Sequence, residues 1–160
     1  MDGRNGSDGV TVDRSMTNVP DKIVYTAEAT SVGGRRGGRA SSSDGILDVQ
    51  LNAPKELGGP GTGTNPEQLF AAGYAACFNS AVLRFAKDAG IEATEASVTA
   101  NVGFGPEGGG FGLAVDLDVA VPGVDLETAQ HLVDAAHDVC PYSKAVRGNI
   151  PVTAKAVPAA

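Results

Sequence analysis

Two stretches in the second half of the chain alternate between apolar and other side chains: Ala96, Val98, Ala100, Val102 and Phe104, then Phe111, Leu113, Val115, Leu117, Val119 and Val121. A period of two puts all these side chains on one face of a strand. The spacing therefore predicts two strands, over 95–104 and 111–121, joined by Gly105-Pro106-Glu107-Gly108-Gly109-Gly110 into a long hairpin with one face on a core. Upstream, Asn65-Pro66-Glu67 combines a good N-cap, a proline at the first helical position and an acid near the positive dipole end. The helix it starts should run to about Ala89, with Gly90 as its C-terminal cap. Its middle is apolar or small almost all round (Ala71, Ala72, Gly73, Ala75, Ala76, Ala81), which predicts burial on most sides. A second helix, capped by Asp125 with Glu127 in its first turn, should run from Leu126 to about Val139, where Pro141 interrupts it; a short helical turn then ends near Gly148. Strands are also expected over Lys22–Val32, Ile46–Leu51 and Ile150–Val157, with Pro151 placing the start of the last near a sheet edge. No internal repeat is visible.

At 160 residues the chain fits one domain. Residues 1–21 are rich in Gly, Asp, Ser and Asn without an apolar period, so they read as a flexible N-terminal arm, with Met16 a second possible start, and residues 22–160 as the domain. The net charge of −7, from 12 basic and 19 acidic residues, argues against a nucleic-acid partner. The longest apolar or small run, Leu69 to Phe78, falls short of the ~18 residues a membrane span needs, so no membrane association is expected. The first residues lack the basic and apolar regions of a secretory signal, which makes the cytoplasm the default compartment. In that reducing setting a disulfide between the two cysteines would be transient and catalytic.

Cys77, among alanines in the first helix, would by default be a small hydrophobe. Cys140 precedes Pro141 at a helix break, where N–H groups of the next short helix can face a thiolate and lower its pKa. His137 stands three residues before Cys140, but two cysteines and two histidines are a thin supply for zinc, and no metal is expected. A cationic or partly cationic His137 would instead suit the negative end of its helix. The loop Gly58-Gly59-Pro60-Gly61-Thr62-Gly63-Thr64 precedes a helix as a phosphate loop does, yet neither nucleotide fingerprint threads through it, and Pro66 removes an N–H a phosphate would need. Arg35, Arg36 and Arg39 form a basic loop that is solvated by default; beside a thiolate, a guanidinium favours the ionised form.

Three motifs in order resemble the organic hydroperoxide resistance proteins of the OsmC superfamily. They are Tyr25-Thr26-Ala27 followed by Gly33-Gly34-Arg35, the run from Asn65 through Cys77-Phe78, and the run from His137 through Cys140-Pro141-Tyr142-Ser143 to Ile150. The similarity spans residues 22 to 157. The resemblance implies an α+β fold with antiparallel sheets packed on a long buried central helix, two chains interleaving as a homodimer. It implies a thiol peroxidase in which Cys77 is peroxidatic, Cys140 resolving, Arg35 catalytic and Glu67 the acid that holds the arginine; the loop at Arg35 and Arg36 is one residue longer than usual. It implies no bound cofactor, an organic hydroperoxide substrate and an external dithiol reductant such as lipoyl groups on a partner protein. A largely apolar pocket with Tyr142 and Phe78 would favour alkyl or lipid hydroperoxides. A non-enzymatic redox-sensing or lipid-binding module is the alternative.

Glu67 and Cys77 lie ten residues apart on one helix, about 15 Å along its axis. That separation leads to the expectation that Glu67, with Arg35, serves the Cys77 of the partner chain.

Overall fold

The alternating stretches pair as an antiparallel hairpin of β4 (Ser97–Glu107) and β5 (Gly110–Ala120), in a computed structural model that describes residues 18–160. The ladder runs further than the glycine-rich linker suggests, to Glu107 opposite Gly110, leaving only Gly108 and Gly109 in the turn. Both have positive φ, 51° and 86°, the left-handed geometry that a two-residue hairpin turn demands and that glycine adopts without steric cost. Pro106 lies within β4, which tolerates it as an edge strand. Val115, Leu117, Val119 and Val121 are buried in the core, as the alternation requires.

Helix α1 (Pro66–Asp88) starts where Asn65 accepts a hydrogen bond from the Gln68 N–H through its side chain, at 2.9 Å; a cap of this kind contributes about 1 kcal/mol. At its other end the Gly90 N–H donates to the Lys87 carbonyl and the Ile91 N–H to that of Ala86, a Schellman pair that satisfies two otherwise orphaned acceptors. Within the one chain the burial of α1 is one-sided. Tyr74, Phe78, Ala81, Val82 and Ala86 are buried, while Ala72, Ala76, Ser80 and Leu83 face outward. One face packs on β4 and α2 (Leu126–Val139), and among the described residues the opposite face is left uncovered. By length and composition alone α1 could cross a membrane, but its packing through Tyr74, Phe78 and Val82 is that of a core helix.

After α2, capped by Asp125 accepting from the Thr128 N–H, the chain turns through α3 (Pro141–Val146) into β6 (Val152–Ala156). Strand β6 joins β5 in parallel, from Val115 opposite Val152 to Val119 opposite Ala156. This sheet is therefore mixed, not antiparallel throughout: α2 and α3 form a crossover, and a strand returning after a crossover arrives parallel. The helices cover one of its faces, which makes the fold α+β.

The N-terminal part forms a separate antiparallel sheet in the order β1 (Ala29–Val32), β2 (Arg39–Ser42), β3 (Asp48–Gln50). The strand expected over 22–32 pairs only from Ala29, and Ile23, Val24 and Tyr25 are exposed. The strand expected over 46–51 narrows to 48–50, with Leu51 adding a single bridge to Thr64. Both are cut short because no neighbouring strand among the described residues reaches the outlying positions. Of the expected N-terminal arm, residues 1–17 lie outside the described residues.

Candidate active site

Cys77 sits on α1 one turn after the buried Tyr74 and next to the buried Phe78, at the margin of the core, and is half-buried. Cys140 is fully buried. It is the residue shared by α2 and α3: its N–H donates to the Ala136 carbonyl and its own carbonyl accepts from the Lys144 N–H. Pro141, which has no N–H to give, ends the first helix and begins the second. The bend carries Cys140 back onto α1, and the two thiols stand 3.6 Å apart, both reduced. A disulfide would need the sulfurs about 1.5 Å closer, within the reach of small side-chain rotations.

Burial pushes the Cys77 thiol pKa up, a hydrogen bond from the Tyr142 backbone N–H pulls it down, and neighbouring Cys140 pushes it up again, the net direction being upward. The Tyr142 N–H, in the first turn of α3, is thus directed at Cys77. Among the described residues no guanidinium of the same chain is a cause of the Cys77 shift.

Arg35 lies in the loop between β1 and β2. Gly38 closes this loop so tightly that a Cβ there would come within 2.3 Å of the Gly34 carbonyl oxygen. The Arg35 guanidinium donates to both carboxylate oxygens of Glu67, at 3.1 and 2.9 Å, and lies 5.0 Å from the centroid of the Phe104 ring. The fork-on-carboxylate pair fixes the plane of the guanidinium, and the ring adds a cation–π contact. Arg39 pairs with Asp48 and Arg36 is exposed; of the three arginines, Arg35 is the one held by Glu67 within the same chain.

Burial, the largest single influence, would raise the Glu67 pKa, but the Arg35 hydrogen bonds, a backbone N–H and the guanidinium charge together hold the carboxyl below its ordinary value. A depressed folded-state pKa contributes stability above the unfolded value of about 4.3, and that contribution is lost as pH falls through the folded value. Thermal midpoints of wild type and Glu67→Gln should therefore differ at about pH 7 and converge below about pH 4. A gap that stays constant across that range would mean that the pair contributes nothing that titrates.

The surface around Cys77 is aromatic. Tyr142 sits 6.2 Å from Phe70 and 5.6 Å from Tyr74, measured between ring centroids. It lies so close over Gly73 that a Cβ there would fall 2.7 Å from its hydroxyl oxygen. Phe78, expected to line a substrate pocket, is fully buried and packs against Tyr74 and His137; its position one residue beyond Cys77 turns it inward. A cavity of about 690 Å³ opens elsewhere, between the first half of α1 and β4, where Glu67, Ala71, Val102 and Phe104 line it and neither cysteine does.

Comparison with known proteins identifies the family. Residues 59–155 match the model of the OsmC-like protein family. The chain belongs to the OsmC family. It is 57% identical over 136 residues to the organic hydroperoxide resistance protein of Xanthomonas axonopodis pv. citri, covering 84% of this chain and 95% of that one. Two solved structures have the same fold. One is an organic hydroperoxide resistance protein from Elizabethkingia anophelis (TM-score 0.80, 49% identity, 86% of this chain and 99% of that one). The other is OhrB of Bacillus subtilis (TM-score 0.76, 45% identity, 84% and 100%). Within the OsmC family, then, the chain resembles the organic hydroperoxide resistance proteins along nearly their whole length.

In this OsmC protein the structure brings Cys77 to Cys140 and Arg35 to Glu67, as two pairs. Sequence reasoning missed three contributors. Phe104, read only as a strand residue, seats Arg35 and stacks on Phe111 at 4.8 Å. The Tyr142 N–H and the Ser143 hydroxyl act across helices, and no local spacing announces them. His137, expected to be cationic, has its pKa lowered by burial and by Arg147, although Asp138 and Asp134 oppose this. Its Nδ1 is 2.9 Å from Ser143 Oγ.

Proposed function

We propose that this protein is a thiol-dependent peroxidase that reduces organic hydroperoxides, with Cys77 as attacking and Cys140 as resolving thiol. The observation that carries the reading is the pair of reduced sulfurs at 3.6 Å, one half-buried at an aromatic surface and one fully buried behind it. The Cys77 thiolate attacks the distal peroxide oxygen, the O–O bond breaks, and the products are a Cys77 sulfenic acid and an alkoxide that leaves as the alcohol after taking up a proton. The Cys140 thiol then attacks the sulfenic sulfur, forming the disulfide and releasing water. An external dithiol, such as a lipoyl group on a partner protein, returns both thiols by exchange and becomes a cyclic disulfide. Apart from this reductant the cycle draws on no cofactor, and it suits the reducing cytoplasm.

The upward shift of the Cys77 pKa supports a second part of the reading. A peroxidatic thiol requires a nearby cation, and Arg35, although pre-oriented by Glu67, is not among the groups acting on Cys77 of its own chain. In our reading two chains interleave, and Arg35 with Glu67 completes the site around the partner's Cys77. The face of α1 and the edge of β4 that no described residue covers, with the exposed side chains of Ile23, Val24, Tyr25 and Ile46, are the surfaces such an association would bury.

The test is consumption of cumene and fatty-acid hydroperoxides compared with hydrogen peroxide, each with lipoamide, thioredoxin or glutathione as reductant. Turnover of the organic peroxides with a dithiol is expected, faster than of hydrogen peroxide. No turnover with any dithiol would end the enzyme reading in favour of a redox-sensing or lipid-binding module.

A further inference from the structure

The hydroxyl of Ser143 joins three helices. It is fully buried in the first turn of α3, 2.8 Å from the Tyr74 hydroxyl on α1 and 2.9 Å from His137 Nδ1 on α2. Tyr74 is also fully buried, and its own polar contact is this one. The arrangement satisfies one hydroxyl chain: Ser143 Oγ can donate to one neighbour while accepting from the other. The lowered His137 pKa is consistent with a neutral ring that has one nitrogen free to accept.

The position of this tie gives it meaning. Ser143 follows Cys140 by three residues, Tyr74 precedes Cys77 by three, and His137 precedes Cys140 by three, so each partner lies about one helical turn from a thiol. A second clamp closes the same bend from outside, where Arg147 donates to the His137 carbonyl at 2.5 Å. Besides these contacts α3 meets α1 through the Tyr142 N–H at Cys77 and the ring of Tyr142, which is 37% exposed. Six residues make too short a helix to hold its own orientation.

We propose that Ser143, through Tyr74 and His137, is the positioning residue that holds Cys140 within reach of Cys77, and so favours disulfide formation over further oxidation of Cys77. This rests on reading the two cysteines as a redox couple. The chemistry involved is the exchange already described: two thiols give up two electrons and two protons to an added disulfide, which becomes the dithiol.

The reduced and oxidised forms of wild type, Ser143→Ala and Tyr74→Phe should be equilibrated in dithiothreitol redox buffers and the disulfide fraction read by alkylation and mass shift. Each variant is expected to shift the equilibrium toward the dithiol, Ser143→Ala by about tenfold, or about 30 mV. The double variant should shift little beyond Ser143→Ala alone, because both changes cut the same tie. After peroxide treatment, overoxidised Cys77 should rise in the same order. Tyr74→Phe keeps the packed ring, and decides the matter if Ser143→Ala fails to fold. A lowered thermal midpoint with a wild-type potential would reduce the tie to a structural role and overturn the proposal. If wild type itself forms no disulfide in the buffer, the redox reading fails; if it does and the potential ignores Ser143 and Tyr74, only the positioning role falls.

Discussion

Cys77→Ser is expected to bring dithiol-dependent consumption of organic hydroperoxide to background, a loss of about a thousandfold or more. A serine hydroxyl does not ionise near neutral pH and cannot be oxidised to the sulfenic state on which the cycle depends. Cys140→Ser should behave differently. Its Cys77 still meets peroxide, so one equivalent is consumed; with no thiol 3.6 Å away to condense with, the sulfenic acid persists and moves on to sulfinic acid in excess peroxide. Intact-mass measurement after stoichiometric and excess peroxide separates the two variants. Sustained wild-type turnover by Cys140→Ser would show that an external thiol resolves the sulfenic acid directly.

The second large effect concerns subunit architecture. In a homodimer, Glu67→Ala should lower the rate by about 10- to 100-fold, the usual scale for losing a hydrogen bond to a charged group. A mixed dimer with Glu67→Ala in one chain and Cys77→Ser in the other gives the discriminating result. If the Arg35–Glu67 pair serves the partner's thiol, both defects collect at one site and about half the wild-type rate survives, because the two sites of a symmetric dimer are equivalent. If the pair serves its own chain, each site carries one defect and the rate falls to about half that of the Glu67→Ala homodimer. The ion pair itself forms within a chain; the open question for the experiment is which thiol it faces.

Legibility from sequence followed the range of the interactions. The start of α1 was readable because Asn65, Pro66 and Gln68 act within one turn, and the hairpin because apolar alternation is a local periodicity. Helix α2 came out with the expected ends for the same reason, Asp125 capping one and Pro141 closing the other. What escaped depends on distant partners. The parallel entry of β6 is decided by where the crossover lands. The pairing of Arg35 with Glu67 was anticipated only through the family resemblance; no local spacing announces it, and it is made by a loop whose shape is set by the close approach of Gly38 to Gly34. Cys77 and Cys140 were visible as candidates, but that the α3 backbone turns its N–H toward Cys77 depends on contacts between residues more than sixty positions apart. The burial expected of α1 is met on one face within the chain: a helix rich in alanine announces close approach without saying which chain makes it.

Cys77 and Cys140 are separated by 63 positions, so the bond between them would close a loop over more than a third of the chain. Tying a loop of that size removes conformational freedom from the unfolded ensemble worth about 4 kcal/mol in the chain-entropy account. Every oxidation would then convert a protein held by its core alone into a covalently stapled one, and every reduction would release it. A molecule waiting for its reductant would be at its most resistant to unfolding and proteolysis, so that the same chemistry that records the encounter with peroxide also preserves the protein until the dithiol arrives.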